Sequence, residues 1–335
     1  MSKPSSVVLG LDIGGTTAKM GIVSPEGEIL RRAEEPMPHH LAAQTLVENV
    51  KQPATELLHW ARQEGYDVLG CGVSVCGFIT PDGERPEYVN VHALDGFPLR
   101  QELQGAMDLP VILDNDMNCA VLGEYHYGAG KGVSRLLVVT VGTGIGVGVI
   151  LNDQLLRLSS GTTGNPGHVI VDPHGPVCVA GCRGCVESLA SAGPISRRAE
   201  ALARSQRPTQ LRRLLEDKGH LTPEDVFVAA EAGDLPAQEI WREVGEWLGR
   251  GLATWVQIFA PSVVLVGGGV AHAQDWLIRP MEREMRRVGE PYFTRQVREV
   301  KSASLKKELG VLGAASLFFV PRHAPPGTTI SSPHE

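Results

Sequence analysis

The sequence predicts an α/β fold of two related lobes facing one cleft, and three observations carry that expectation. Apolar runs of strand length, VVLGLDI, VLGCGVSV and VILDN, are interleaved with stretches of helical period. A strand, a glycine-rich turn and a second strand occur twice, at VVLGLDI-GGTT-AKMGIV and at RLLVVTV-GTG-IGVGVIL. The chain is 335 residues long, room for two domains at about 100–200 residues each.

VVLGLDI reads as a buried strand, GGTT as a turn and AKMGIV as the returning strand; SPEGE turns the chain again into a third strand, ILRRA. Residues 41–64 carry Leu41, Leu46, Val50, Ala54, Leu57, Leu58 and Ala61 at helical spacing, with Pro53 as the expected kink. VLGCGVSV (68–75) and VILDN (111–115) are further buried strands, the second leading into a helix. After the second strand–turn–strand unit at 135–151 the chain is largely helical, over 194–205, 222–231 and 235–259. In the last of these Ile240, Val244, Trp247, Leu248, Leu252 and Trp255 recur with the helical period. VVLVGGGV (263–270) is a strand running into a glycine turn, and LGVLGAASLFF is the final helix. The tail PRHAPPGTTISSPHE, residues 321–335, is rich in Pro and Ser and is expected to be disordered.

Composition narrows the function. Hydrophobic residues at 42% and charged residues at 21% suit a soluble domain with a sizeable core. A net charge of -7 argues against nucleic acid or an anionic membrane as the main partner. No apolar run approaches the roughly 18 residues of a membrane span. The start MSKPSSVVLG lacks the apolar core and cleavage site of a secretory signal, so the cytoplasm is the expected compartment. The six cysteines lie at 71, 76, 119, 178, 182 and 185. Three cluster, which in such a chain points to metal rather than to disulfides, while Cys71, Cys76 and Cys119 read as core thiols. His92 and His126, as single histidines, are given no role.

Four stretches carry chemistry. In LDIGGTTAK (11–19) a strand-end carboxylate meets two glycines and two threonines, so that backbone N–H groups and hydroxyls could cradle an anion while Asp12 holds Mg²⁺ through water. A tight hairpin in which Asp12 only stabilises the turn fits that stretch as well. VGTGIGVG (141–148) superficially matches a dinucleotide fingerprint, but the turn leads into a strand where that fingerprint needs a helix N-terminus; it reads as a second phosphate cradle. VGGGV (266–270) could pass the backbone close to a nucleotide base or sugar, or serve as a plain strand-to-helix turn. In DNDMN (114–118), Asp116 would make a good N-cap, but capping explains neither Asn115 nor Asp114. A carboxylate between two phosphate loops is what a base for a sugar hydroxyl needs, since phosphoryl transfer otherwise asks mainly for positioning and charge neutralisation. In GNPGHVIVDPHGPVCVAGCRGCVES (164–188), His168, Cys178, Cys182 and Cys185 supply one imidazole and three thiols within 18 residues, a complete tetrahedral zinc set with no open position.

Taken in order, DIGGTTAK, GVSVCGFITPDG, NVHALDGFPL, DNDMNCAVLGE, VGTGIGVGV, GH…C…GCRGCVES, VLVGGG and LGAAS resemble the ROK family (repressor, open reading frame, kinase), sugar kinases of the actin-like ATPase, ribonuclease H-like fold. The resemblance implies two lobes around a central cleft with a zinc-binding loop. The smaller lobe is expected at 1–117, completed by a C-terminal helix at about 303–320, and the larger at 118–302. It implies that Asp12, Gly14, Gly15, Thr16, Thr17 and Lys19, with Gly142, Thr143 and Gly144 and the turn Gly267, Gly268 and Gly269, hold Mg²⁺ and ATP. Asp116 is implied as the base, and Asn90, Asn115, His168 and Glu187 as sugar contacts, with Asn165 beside them. In the family the His of the GH pair touches the sugar, so His168 is expected to serve sugar and zinc through separate ring nitrogens. A homodimer or higher homo-oligomer is a family expectation only.

Three departures from the family pattern stand out. Ala180 occupies the second cysteine position of CxCGxxGC, and Cys182 appears two residues later. Asn165 replaces the Glu of ExGH, trading an acceptor for an amide that also donates. Leu94 and Cys76 stand where relatives usually have an aromatic residue and Pro. The expected activity is a Mg²⁺-ATP-dependent kinase acting on a hexose, glucose-like, at O6; Asn165 keeps N-acetylmannosamine or another amino sugar, fructose or a cyclic polyol in competition. A sugar-responsive repressor would need a DNA-binding helix pair before the first strand, where only six residues precede VVLG, and basic surface, which an acidic chain lacks. A silent sugar-binding module would leave Asp116 between two phosphate loops without a use.

Overall fold

The computed structural model describes residues 6–159 and 161–320; the expected disordered tail at 321–335 lies outside the described residues. The chain divides into two compact units. The first runs to Gly132, takes in Gln154–Gly164 and resumes from Leu305, and the second is Val133–Asp153 with Asn165–Ser304.

In the first unit the strands are β1 (Ser6–Ile13), β2 (Thr17–Val23), β3 (Ile29–Pro36), β4 (Asp67–Val75), the two-residue hairpin strands β5 (Phe78–Ile79) and β6 (Pro86–Glu87), and β7 (Val111–Asn115). The main sheet has the order β3-β2-β1-β4-β7, antiparallel across β1–β3 and parallel from β1 to β7. Near-continuous apolar runs in β1, β4 and β7 fit strands covered on both faces. One face is covered by the helix Ala43–Gln63, which buries Leu46, Val47, Val50, Ala54, Leu57, Leu58 and Ala61 and continues through Pro53 without ending there. Across the sheet lies the C-terminal helix Leu309–Phe319, almost backbone to backbone. A Cβ on Gly10 would stand 2.2 Å from the Val311 carbonyl oxygen, and one on Gly72 1.9 Å from that of Ala314. Glycine is the residue that allows this approach.

The same helix holds Asp116–His126: a Cβ on Gly313 would lie 1.9 Å from the Cys119 carbonyl oxygen. This packing keeps Asp116–His126 in the first unit, so the border falls after Gly132 and not at 117. The sequence alone could not reveal that a helix nearly 200 residues downstream would fix it.

The first unit also holds the two-residue strand β10 (Gln154–Leu155), and the second repeats the hairpin layout with β8 (Arg135–Val141) and β9 (Ile145–Leu151), to which β11 (Val263–Gly267) and β12 (Glu299–Ser302) add in the order β9-β8-β11-β12. Its helices include Ala192–Arg204, Leu211–Lys218, Pro223–Glu231, Leu235–Phe259 and Asp275–Val288. Thr222 and Asp225 form a capping box that sets the start at Pro223, and Asp234 caps the long helix by accepting from the Ala237 N–H at 3.0 Å. The strand expected to run into a glycine turn at 263–270 is β11, which ends at Gly267, and Gly269–Ala273 forms a 3-10 turn. No helix among the described residues is long and apolar enough to cross a membrane.

Candidate active site

The expected functional residues fall into two sets, one in each unit.

In the first unit, Asp12 is the last residue but one of β1 and lies directly opposite Lys19 of β2. Its Oδ1 accepts from the Ser74 hydroxyl at 2.7 Å. Burial pushes the Asp12 carboxyl above its ordinary range, against the pull of Ser74 and Lys19. Between the two strands Gly14 N–H donates to the Thr17 carbonyl at 3.1 Å, and a Cβ on Gly15 would meet nothing within 4 Å, so this turn has room for an anion.

β7 delivers Asp114, Asn115 and Asp116, and each has a different task. Asn115 is the N-cap: its Oδ1 accepts from the N–H groups of Met117 at 2.9 Å and Asn118 at 3.3 Å. Its amide donates to the Gly77 carbonyl at 2.7 Å and to Asp116 Oδ1 at 3.0 Å. With all four positions of the amide in use, a sugar contact by Asn115 requires it to exchange one of them. Asp116 is therefore not the cap but the first helical residue, with Oδ1 also accepting from the Met117 N–H at 2.8 Å. Burial raises its carboxyl to about 6, with Asp12 adding to the rise while the Cys76 thiol and the Met117 N–H oppose it.

Asp114 is a structural anchor. Only 3% of its side chain is exposed, and Arg157 grips both carboxylate oxygens, one at 2.9 Å. Asn118 donates an amide hydrogen to Asp114 Oδ1 at 2.8 Å and to the Gly161 carbonyl at 2.9 Å. Arg157 also donates to Gly161 at 3.1 Å. The DND motif thus serves three functions, and Arg157, Ser74 and Cys76 are participants that sequence reasoning did not find. Asn90 donates its amide to Cys76 Sγ at 2.9 Å, and Cys76 is half-buried among polar partners, not a core thiol. Cys71 and Cys119 are fully buried, as expected.

In the second unit, Gly142, Thr143 and Gly144 join β8 to β9, with Gly142 N–H donating to the Gly144 carbonyl at 2.9 Å. Gly268, at φ +89°, packs against Val141 at the end of β8, so the Gly267–Gly269 turn adjoins the Gly142–Gly144 turn; a Cβ on Gly269 would meet nothing within 4 Å. Glu187 Oε2 accepts from the Ile145 N–H at 3.0 Å, and its Oε1 lies 3.7 Å from His168 Nε2. The glycine of the GH pair is needed because a Cβ on Gly167 would stand 2.1 Å from the Ile145 carbonyl oxygen. Asn165 is exposed just before the 3-10 turn Pro166–His168, and among the described residues its side chain takes no hydrogen bond.

His168 uses its two nitrogens in different directions. Nδ1 faces Cys178 Sγ at 3.4 Å, Cys182 Sγ at 3.4 Å and Cys185 Sγ at 3.7 Å, while Nε2 faces Glu187. The four ligand atoms lie within 4.8 Å of one another, and all six cysteines are free thiols. A tetrahedral zinc, with Zn–S of about 2.3 Å and Zn–N of about 2.0–2.1 Å, holds sulfur and nitrogen about 3.6 Å apart. The four side chains fit that geometry, with Cys182 in the place that Ala180 leaves open.

Comparison with known proteins bears on both sets. The family model described as ROK family matches residues 8–320. The chain is 34% identical to the glucokinase of Halalkalibacterium halodurans over 92% of this chain and 94% of that one. It is 30% identical to the N-acetylmannosamine kinase of Salmonella typhi over 92% and 97%. The crystal structure of a ROK family glucokinase from Streptomyces griseus in complex with glucose and AMPPNP superposes with a TM-score of 0.78 at 32% identity, covering 93% of this chain and 98% of that one. The fold is accordingly the actin-like ATPase fold of such kinases. The matched span contains every residue of the two sets, and the chain belongs to the ROK family.

Proposed function

We propose that this protein is an ATP-dependent sugar kinase that transfers the γ-phosphoryl group to a hexose hydroxyl, glucose-like at O6. The observation that carries the reading is the state of Asp116. Asn115 relieves it of capping, and burial raises it to about 6, near the pH at which a general base works best. Asp116 takes the proton of the sugar hydroxyl as that oxygen bonds to the γ-phosphorus, and the broken P–O bond leaves its electron pair on ADP. Asn90, Asn115, Asn165, His168 Nε2 and Glu187 orient the sugar. The turns at Gly14–Thr17, Gly142–Gly144 and Gly267–Gly269, with Lys19, hold the nucleotide. Asp12 would hold Mg²⁺ bound with ATP, which neutralises phosphate charge.

His168 Nδ1, Cys178, Cys182 and Cys185 form a closed structural zinc site that fixes the imidazole so that Nε2 is presented to the sugar. Two named relatives, a glucokinase and an N-acetylmannosamine kinase, bracket the substrate. Asn165 favours the second reading, an amino sugar or other polyol, because an exposed amide offers a donor where a carboxylate would only accept. The test is ADP release with ATP and a panel of hexoses, amino sugars and inositols. One sugar should be turned over well above the others; a chain that hydrolyses ATP at the same rate with or without any of them is not such a kinase.

A further inference from the structure

We infer that a cavity beside Asn115 in the first unit takes an acyl group carried by the sugar, so that an N-acylated amino sugar is the preferred substrate and Tyr88 a specificity-determining residue. The inference rests on the sugar-kinase reading above and deepens its amino-sugar alternative. The cavity holds about 450 Å³, within the roughly 300–1,000 Å³ of small-molecule sites. It lies where the β5–β6 hairpin and Arg157–Leu158 flank β7, the edge strand of its sheet. Asn115, at the end of β7, is part of the lining, and its amide donates to the carbonyl of Gly77, next to Phe78. The cavity therefore adjoins an implied sugar contact.

Its walls are largely apolar, from Phe78, Ile79, Pro81, Leu113 and Leu158. Most polar groups along it are already engaged. Arg157 grips Asp114, the Thr80 hydroxyl donates to Asp82 at 2.5 Å, and the Thr162 hydroxyl donates to the Gly164 carbonyl at 3.3 Å. A second sugar ring would bring hydroxyls to these walls and leave them without partners, whereas an alkyl chain gains from burial there. An acyl group suits both ends, with its amide kept at the sugar and its chain in the apolar part.

Tyr88 is an independent sign. It follows β6 at φ +53°, a left-handed conformation that a bulky side chain rarely adopts. Asp95 holds it there, its Oδ1 accepting from the Tyr88 N–H at 2.7 Å. The residue is nevertheless 83% exposed, with its ring edge-on to Phe78 at 6.3 Å between centroids. An aromatic ring kept on a strained backbone and left in solvent gains little in the fold; beside a cavity it offers apolar surface to what enters.

The experiment measures kcat/KM with ATP, and affinity by calorimetry without it, for N-acetyl, N-propanoyl and N-butanoyl derivatives of mannosamine and glucosamine, with glucose and a disaccharide alongside. In one of the two acyl series both quantities should rise about fourfold per added methylene, hence about 15-fold from acetyl to butanoyl. Tyr88→Asn, whose side chain tolerates the left-handed backbone, should melt no lower than wild type and keep its glucose turnover while losing more than half of that gain. Values flat or falling with chain length in both series overturn the inference, as does a disaccharide preferred to every acyl sugar, or a Tyr88→Asn variant with the full gain. Calorimetry separates this from the kinase reading: acyl sugars that bind in the expected order but are never phosphorylated leave the cavity's role standing and remove the kinase, whereas glucose phosphorylated with no acyl preference removes only the role of the cavity.

Discussion

Arg157→Met probes the anchor beneath the base. Arg157 is 11% exposed and Asp114 3%, so the pair is shielded from water on both sides. Removing the guanidinium leaves Asp114 Oδ1 with the Asn115 N–H and the Asn118 amide, each at 2.8 Å, but takes the charged donor from both oxygens. An uncompensated buried charge of this kind costs about 3–5 kcal/mol. At roughly 2–4 °C per kcal/mol for a unit of this size, the melting temperature should fall by about 6–20 °C. Circular dichroism melts of the wild type, Arg157→Met and the double variant Asp114→Asn/Arg157→Met would measure it. The double variant should regain more than half of the loss, since the charge is removed with its partner. The sugar KM should rise in Arg157→Met, because Arg157 and Asn118 together hold Gly161, four residues before Asn165. A melting temperature within about 1 °C of wild type would refute the reasoning, because burial would then impose no penalty on an unpaired carboxylate.

Three further outcomes are expected. Because the Asp116 carboxyl holds its proton up to about 6, its basic form is lost as pH falls through 6 and not through 4. The kcat/KM profile should drop about tenfold per unit below that point, and a limb near 4 would assign the base elsewhere. Elemental analysis should find about one zinc per chain, and Cys182→Ser should purify with much less metal while Ala180→Cys/Cys182→Asn, which returns the family spacing, retains it. Asn165→Glu should shift the preference between glucose and N-acetylmannosamine by about 10-fold in kcat/KM, the scale of one hydrogen bond to the bound sugar gained or lost; an unchanged ratio would take residue 165 out of specificity.

The sequence made much of this legible, and the gaps have physical causes. Strand-length apolar runs ending in glycine turns located β1, β2, β8 and β9 because their side chains are buried on both faces. The His/Cys cluster was legible because a metal set needs donors close in sequence here, and Cys182 could be seen to stand in for the cysteine missing at 180. The division of labour in DND was not legible. Asn and Asp are about equally good N-caps, so spacing could not decide that Asn115 caps and Asp116 is released. Arg157 is 43 residues from Asp114 in a stretch without period, and nothing local marks it as a partner. Cys76 reads as an apolar thiol in the sequence, because nothing local marks the Asn90 amide, 14 residues on, as its partner. The helix Asp275–Val288 was missed because Pro280 and its many charges obscure the period.

The central claim is that Asp116 removes the proton from the sugar. Rapid-quench turnover of wild type and Asp116→Asn, with ATP and the best sugar of the panel, tests it most directly when sugar binding is measured alongside. The account predicts unchanged sugar affinity and phosphorylated sugar formed at least about 10²-fold more slowly. Sugar phosphate formed at the wild-type rate by the asparagine variant would contradict it.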